Sequence, residues 1–151
     1  YLLLFLMNIK QEELIKHYIE LELYNKAITE IKRGIFFNLI DISAAKFYYG
    51  KILYSQKQYK NALYLFYEVS QNKEHRLSKR ALYYYVKSLI KLGEVRRLYE
   101  LSSYNQDIFT KKGRKILLSM QNKKLSLKSP YKALLFSMFI PGLGIYYAGD
   151  T

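Results

Sequence analysis

The chain contains no cysteine and no tryptophan, only two prolines, two histidines and seven glycines among its 151 residues. Without cysteine, disulfides and thiolate metal sites are excluded, and the compartment stays open because cysteine-free chains occur everywhere. The shortage of proline and glycine leaves long stretches free to be helical. His17 and His75 stand 58 residues apart with no metal-ligand spacing around them, so both read as surface or packing residues. No nucleophile elbow and no zinc signature occurs. Pro141-Gly-Leu-Gly144 lacks the lysine, the third glycine and the preceding strand of a phosphate-binding loop. Nothing in these features points to an enzyme, a metal or a cofactor.

Acidic residues are scarce in the second half. Residues 1–70 carry 9 Lys+Arg against 7 Asp+Glu, and residues 71–151 carry 16 against 5, which sums to the net charge of +13. A basic half favours anionic neighbours: lipid headgroups, acidic peptides or nucleic acid. Half of the residues are apolar and 17% aromatic, enough to bury a core.

An internal echo organises the chain. Tyr24-Asn25-Lys26-Ala27 is answered by Tyr59-Lys60-Asn61-Ala62, with both Tyr24 to Tyr59 and Ala27 to Ala62 spanning 35 residues. A period of this size marks an array of helical hairpins, each unit needing its neighbours to bury its apolar face. In the first unit Leu14, Ile15, Tyr18 and Leu21 form one helical stripe, a turn falls at Glu22-Leu23, and Ala27, Ile28, Ile31 and Ile35 line a helix from Tyr24 to Phe37. Glu12 and Lys16 form a favourable i,i+4 pair. The second unit places a helix over Ala44–Gln56, capped by Asp41 or Ser43, a turn at Lys57-Gln58 and a helix over Tyr59–Gln71.

The third unit runs from Ser78 to Ser103, with Tyr85, Val86 and Leu89 inward and Gly93 at the turn. There Val95 replaces the turn tyrosine and Leu98 the small alanine, which predicts looser or shifted packing of its second helix. A further helix from Gln106 to Gln121 suits a cap, because terminal repeats need a polar outer face. Residues 122–130 form a basic linker. Residues 131–151 are chemically different: 17 residues from Ala133 to Gly149 carry no charge, and Pro141-Gly142 interrupts them. This predicts a half-helix, a bend and the start of a second apolar segment, with Tyr147 at an interface. Residues 1–7 carry two readings, the apolar remnant of a secretory signal or a first apolar helix.

On Gly50, Tyr59 and Ala62, and on Tyr24 and Ala27, residues 8–104 resemble tetratricopeptide repeats. The tail, with Lys128-Ser-Pro130, Pro141-Gly142-Leu-Gly144 and Tyr147-Ala-Gly149, looks like a membrane-hairpin motif of bacterial envelope proteins, although Ile145 stands where that motif often has glutamine. The two resemblances imply an all-α, right-handed superhelical solenoid of antiparallel helix hairpins over residues 8–121, with a C-terminal apolar helical segment. They imply a non-enzymatic scaffold at the bacterial membrane or cell envelope. A signal peptide would put the repeats in the periplasm, whereas the positive-inside rule puts the basic flank in the cytoplasm.

In such arrays the first helices of the repeats line a concave groove. Aligning the units places Lys16, Lys51 and Lys87 at equivalent positions. Glu12, Phe47 and Tyr83 fall one turn earlier, and Ile19, Tyr54 and Ile90 one turn later. Ammonium groups beside aromatic rings suit an acidic peptide or protein partner, Phe47 and Tyr83 gripping its apolar neighbours. The asparagines of the carboxylate-clamp subtype are absent from this pattern. The basic segment Lys111–Lys132, next to an apolar run, favours anionic lipid over nucleic acid. A soluble, basic, nucleic-acid-binding helical repeat is the competing expectation.

Overall fold

The computed structural model describes residues 2–104, 109 and 111–122, without the side chains of 2–9, 112, 113, 116 and 120–122. Among the described residues every regular element is a helix: α1 (Leu2–Glu20), α2 (Tyr24–Phe36), α3 (Ile42–Ser55), α4 (Tyr59–Gln71), α5 (Ser78–Leu92), α6 (Val95–Tyr104) and α7 (Lys111–Asn122). The chain divides into two units, one ending at Tyr85 and the other starting at Val86.

In the first unit, helices adjacent in sequence pack on each other: α1 on α2, α2 on α3, α3 on α4, with α1 also reaching α3. Ile15, Ala27, Ala44, Phe47, Ile52 and Phe66 are fully buried at the centre of this core. Small residues set the approach of the helices. A Cβ on Gly50 of α3 would stand 2.9 Å from Phe66 Cε1 of α4, so the Phe66 ring occupies the place a side chain would take. Polar side chains fasten the same elements. Buried Gln11 donates through Nε2 to the Glu30 carbonyl at 2.8 Å and to its carboxylate at 2.9 Å, tying α1 to α2. Asp41 caps α3, its carboxylate accepting from the Ala44 N–H at 2.7 Å, so of the two candidate caps it is the aspartate that serves.

The turns repeat at the level of the backbone. After α1, Glu22 takes φ +59°, the Glu22 N–H donates to the Ile19 carbonyl and the Leu23 N–H to the Tyr18 carbonyl. After α3, Lys57 takes φ +62°, and the same two bonds run from Lys57 to Tyr54 and from Gln58 to Leu53. This is the Schellman pattern, in which a left-handed residue lets two successive N–H groups satisfy carbonyls that the helix end would orphan. Each turn is followed by the same entry into the next helix, with the Ala27 N–H on the Leu23 carbonyl and the Ala62 N–H on the Gln58 carbonyl.

The second unit carries that turn too. Gly93 takes φ +76°, its N–H donates to the Ile90 carbonyl, the Glu94 N–H to the Leu89 carbonyl and the Leu98 N–H to the Glu94 carbonyl. Left-handed residues therefore follow α1, α3 and α5 at 22, 57 and 93, intervals of 35 and 36, and Asn38 after α2, at φ +53°, makes the same pair of bonds, from Asn38 to Ile35 and from Leu39 to Gly34. Leu98 is as fully buried as Ala27 and Ala62, so the larger side chain is housed without loss of the turn, although α6 has 10 residues where α2 and α4 have 13. α6 packs on α7, with Leu98, Leu117 and Phe109 buried.

Some expected details change. Leu21 does not join the α1 stripe; it lies beyond the end of the helix and is 54% exposed. Ile35 is exposed in the last turn of α2, and Tyr85 is only half-buried. The helix expected over Gln106–Gln121 runs instead from Lys111 to Asn122, taking in the first residue of the expected linker. Residues 2–7 continue into α1 as one helix. Among the described residues no helix is long and apolar enough to cross a membrane. The tail residues Pro130, Pro141, Gly142, Gly144, Tyr147 and Gly149, and the rest of 123–151, lie outside the described residues.

Candidate functional site

Four of the six residues expected to line a groove are half-buried in the first unit: Lys16 on α1, Lys51 and Tyr54 on α3, and Tyr83 on α5. Lys51 and the two tyrosines meet around Tyr84. The Lys51 Nζ lies 5.9 Å from the centre of the Tyr84 ring, while Tyr54 and Tyr83 present edges to it at 5.7 and 5.6 Å. Tyr54 also packs edge-on against Tyr59 at 5.1 Å, joining this cluster to the start of α4. Half-burial suits a recognition face. The rings are held in place by neighbours, so little side-chain freedom is lost on binding, yet part of each stays open to a partner.

Phe47 is a correction. It is fully buried, with Tyr48, Phe66 and Tyr84 edge-on around it at 5.5, 6.0 and 5.8 Å. A ring enclosed by its neighbours grips nothing outside, so Phe47 belongs to the core of the first unit. Ile19 and Ile90, the companions of Tyr54 in the alignment, are likewise buried. Glu12 has a different task from the expected one. Its carboxylate accepts from the buried Tyr48 hydroxyl at 2.8 Å and from the Arg76 guanidinium.

Lys87 belongs to the second unit. It is half-buried, and burial, reinforced by the charge of Lys91, holds its ammonium below the usual lysine pKa.

Sequence reasoning missed a band of charge at the α4–α5 connection and the first turn of α5. Arg80 lies over the Phe47 ring, its Cζ 5.7 Å from the centroid. His75 contacts the Asp41 carboxylate through Nε2 at 3.1 Å and accepts the Leu77 N–H at Nδ1, at 3.2 Å. Partial burial raises the Asp41 pKa, but the Ala44 N–H and then His75 outweigh it and leave the carboxyl below the usual range. For Arg76, burial opposes the charge and the Glu12 carboxylate more than restores it, so its pKa rises. Burial, followed by the Glu12 charge, pushes the Tyr48 hydroxyl far up, which keeps it a neutral donor. Glu12 to Tyr48 spans 36 residues and Glu12 to Arg76 spans 64, so no local pattern announces these partners.

Among the described residues no group of three His, Asp or Glu side chains stands close enough to hold a metal. The arrangement sets cations against the buried Tyr84 and Phe47 rings, beside the half-open Tyr54 and Tyr83. Comparison with family models, curated proteins and solved structures returned no match.

Proposed function

We propose that this chain is a non-enzymatic scaffold of tetratricopeptide type, a right-handed solenoid of antiparallel helix hairpins that binds a peptide or protein partner. One observation carries the reading. Lys16, Lys51 and Lys87 each stand six residues before the left-handed residue of their turn, Glu22, Lys57 and Gly93, so the cation has the same register in each helix–turn–helix. In the first unit the contact face is Lys16, Lys51, Tyr54 and Tyr83; in the second the same register falls on Lys87. An acidic, extended partner suits it, because an ammonium offers three donors to carboxylates and the tyrosines offer ring area.

Tethering to a bacterial membrane or envelope through the segment containing Pro130, Pro141, Gly142, Gly144, Tyr147 and Gly149 completes the proposal. Its support is the uncharged run and the motif it resembles. Binding of the full chain to an array of acidic peptides, lost in Lys51→Glu and kept in Lys60→Glu, is the expected result. Equal array signals from the two variants refute the face.

A second reading, a basic repeat protein that binds nucleic acid, is favoured by the exposed Arg96, Arg97, Lys111 and Lys115 on α6 and α7. RNA binding that weakens steeply with salt, by a chain recovered in the soluble fraction, selects it.

A further inference from the structure

The α2–α3 connection exposes large apolar side chains that the candidate face does not use. Phe36 is 79% exposed and Phe37 58%, the two rings packed edge-on at 5.0 Å, and Ile35 and Ile42 on either side are 38% and 55% exposed. Isolated apolar residues on a surface need no explanation, but two adjacent phenylalanines at the end of a helix form a protrusion. One turn behind them on α2 stand two exposed cations at i,i+4 spacing: Lys32 behind Phe36 and Arg33 behind Phe37.

The nearby carboxylates are already engaged. Glu30 is bound by the Gln11 amide at 2.9 Å and, more loosely, by Arg33 at 3.7 Å, while Asp41 holds the Ala44 N–H and His75. The Glu30 contact leaves the Arg33 side chain 61% exposed.

We propose that the tip of α2, Phe36 and Phe37 backed by Lys32 and Arg33, is a contact for an anionic bilayer surface. Aromatic rings with cations about one helical turn behind them match the depth order of a membrane interface. The rings enter the headgroup–acyl boundary and the cations stay at the phosphates. The net charge of +13 draws the chain to such a surface before any ring inserts. A second copy of the chain fits less well. At their fractional exposures the four side chains offer roughly 450 Å², taking about 200 Å² for a fully exposed large side chain, against about 800 Å² per partner in a stable dimer. This contact is separate from the C-terminal tether and does not depend on it.

The absence of tryptophan among these 151 residues makes the test local, since Phe36→Trp places a single indole at the tip of α2. Its emission should shift to the blue, and brominated acyl chains should quench it, on vesicles containing phosphatidylglycerol but not on pure phosphatidylcholine. Adding Lys32→Glu and Arg33→Glu should weaken the titration by at least about tenfold, whereas Lys60→Glu on α4 should change it much less. A tether elsewhere in the chain brings protein to the vesicles without moving this signal. Unchanged emission on anionic vesicles overturns the proposal. So does a blue shift without lipid that grows with protein concentration, which is self-association, or an equal effect of Lys60→Glu.

Discussion

Gly50 shows how one neighbour reverses the sign of a substitution. In an open helix Gly→Ala stabilises by about 1 kcal/mol, because alanine loses less backbone freedom. Here the new methyl meets Phe66 at 2.9 Å, and Phe66 cannot retreat: it is fully buried, stacked on Tyr84 at 5.1 Å and packed against Phe47. Gly50→Ala should therefore destabilise by about 1–2 kcal/mol net in urea unfolding, overpacking exceeding the helix gain. Combining it with Phe66→Leu should cost less than the sum of the single changes, because the smaller side chain vacates the methyl's place.

Asp41 contributes to the acid-side behaviour of the first unit. Its folded pKa lies below the unfolded value, so its contribution is fully present above the unfolded value of about 3.9 and is lost as pH falls through the folded one. Asp41→Asn, which can still cap α3, should lose less stability than wild type between about pH 6 and about pH 3, read from urea midpoints.

At the scale of elements, the helix–turn–helix is the repeating object, and its turn is more regular than its residues. Glutamate, lysine and glycine occupy the same left-handed position at 22, 57 and 93 with the same pair of backbone bonds. Only glycine takes that conformation without a Cβ penalty. Lys57→Gly should thus be neutral or stabilise by up to about 1 kcal/mol, and Gly93→Ala should cost about 1 kcal/mol although nothing lies within 4 Å of the added carbon. Thermal melts of the two variants check the opposite signs. The three turns were legible in the sequence: the end of a helical stripe followed by polar or glycine residues is a local signal, read within a few positions. Helix ends followed almost as well, apart from α7. In the third unit Val95 and Leu98 depart from the echo, yet the turn at Gly93 keeps the same backbone bonds and Leu98 is fully buried.

For the whole molecule, a net charge of +13 on 151 residues is a standing self-repulsion. Raising salt from roughly 10 to 200 mM, across which the Debye length falls from about 30 to below 10 Å, should raise the melting temperature. The same salt should weaken binding to acidic peptides and to anionic vesicles, since both rest on unlike charges. A melting temperature that falls over this range contradicts the repulsion argument.

The all-helical class, the positions of the turns and the register of Lys16, Lys51 and Lys87 came from the sequence by itself, because helix periodicity and turn chemistry act over fewer than ten residues. Which positions of that register face outward was decided by the tertiary structure. Phe47 and Tyr54 both follow the α3 pattern, yet Phe47 is enclosed by rings from α4 and α5 while Tyr54 stays half open. The Glu12–Tyr48–Arg76 connection and the bare Phe36–Phe37 tip were invisible for the same reason. Burial is a property of neighbours far away in the chain, and a helical stripe says which side chains share a face, not what covers them.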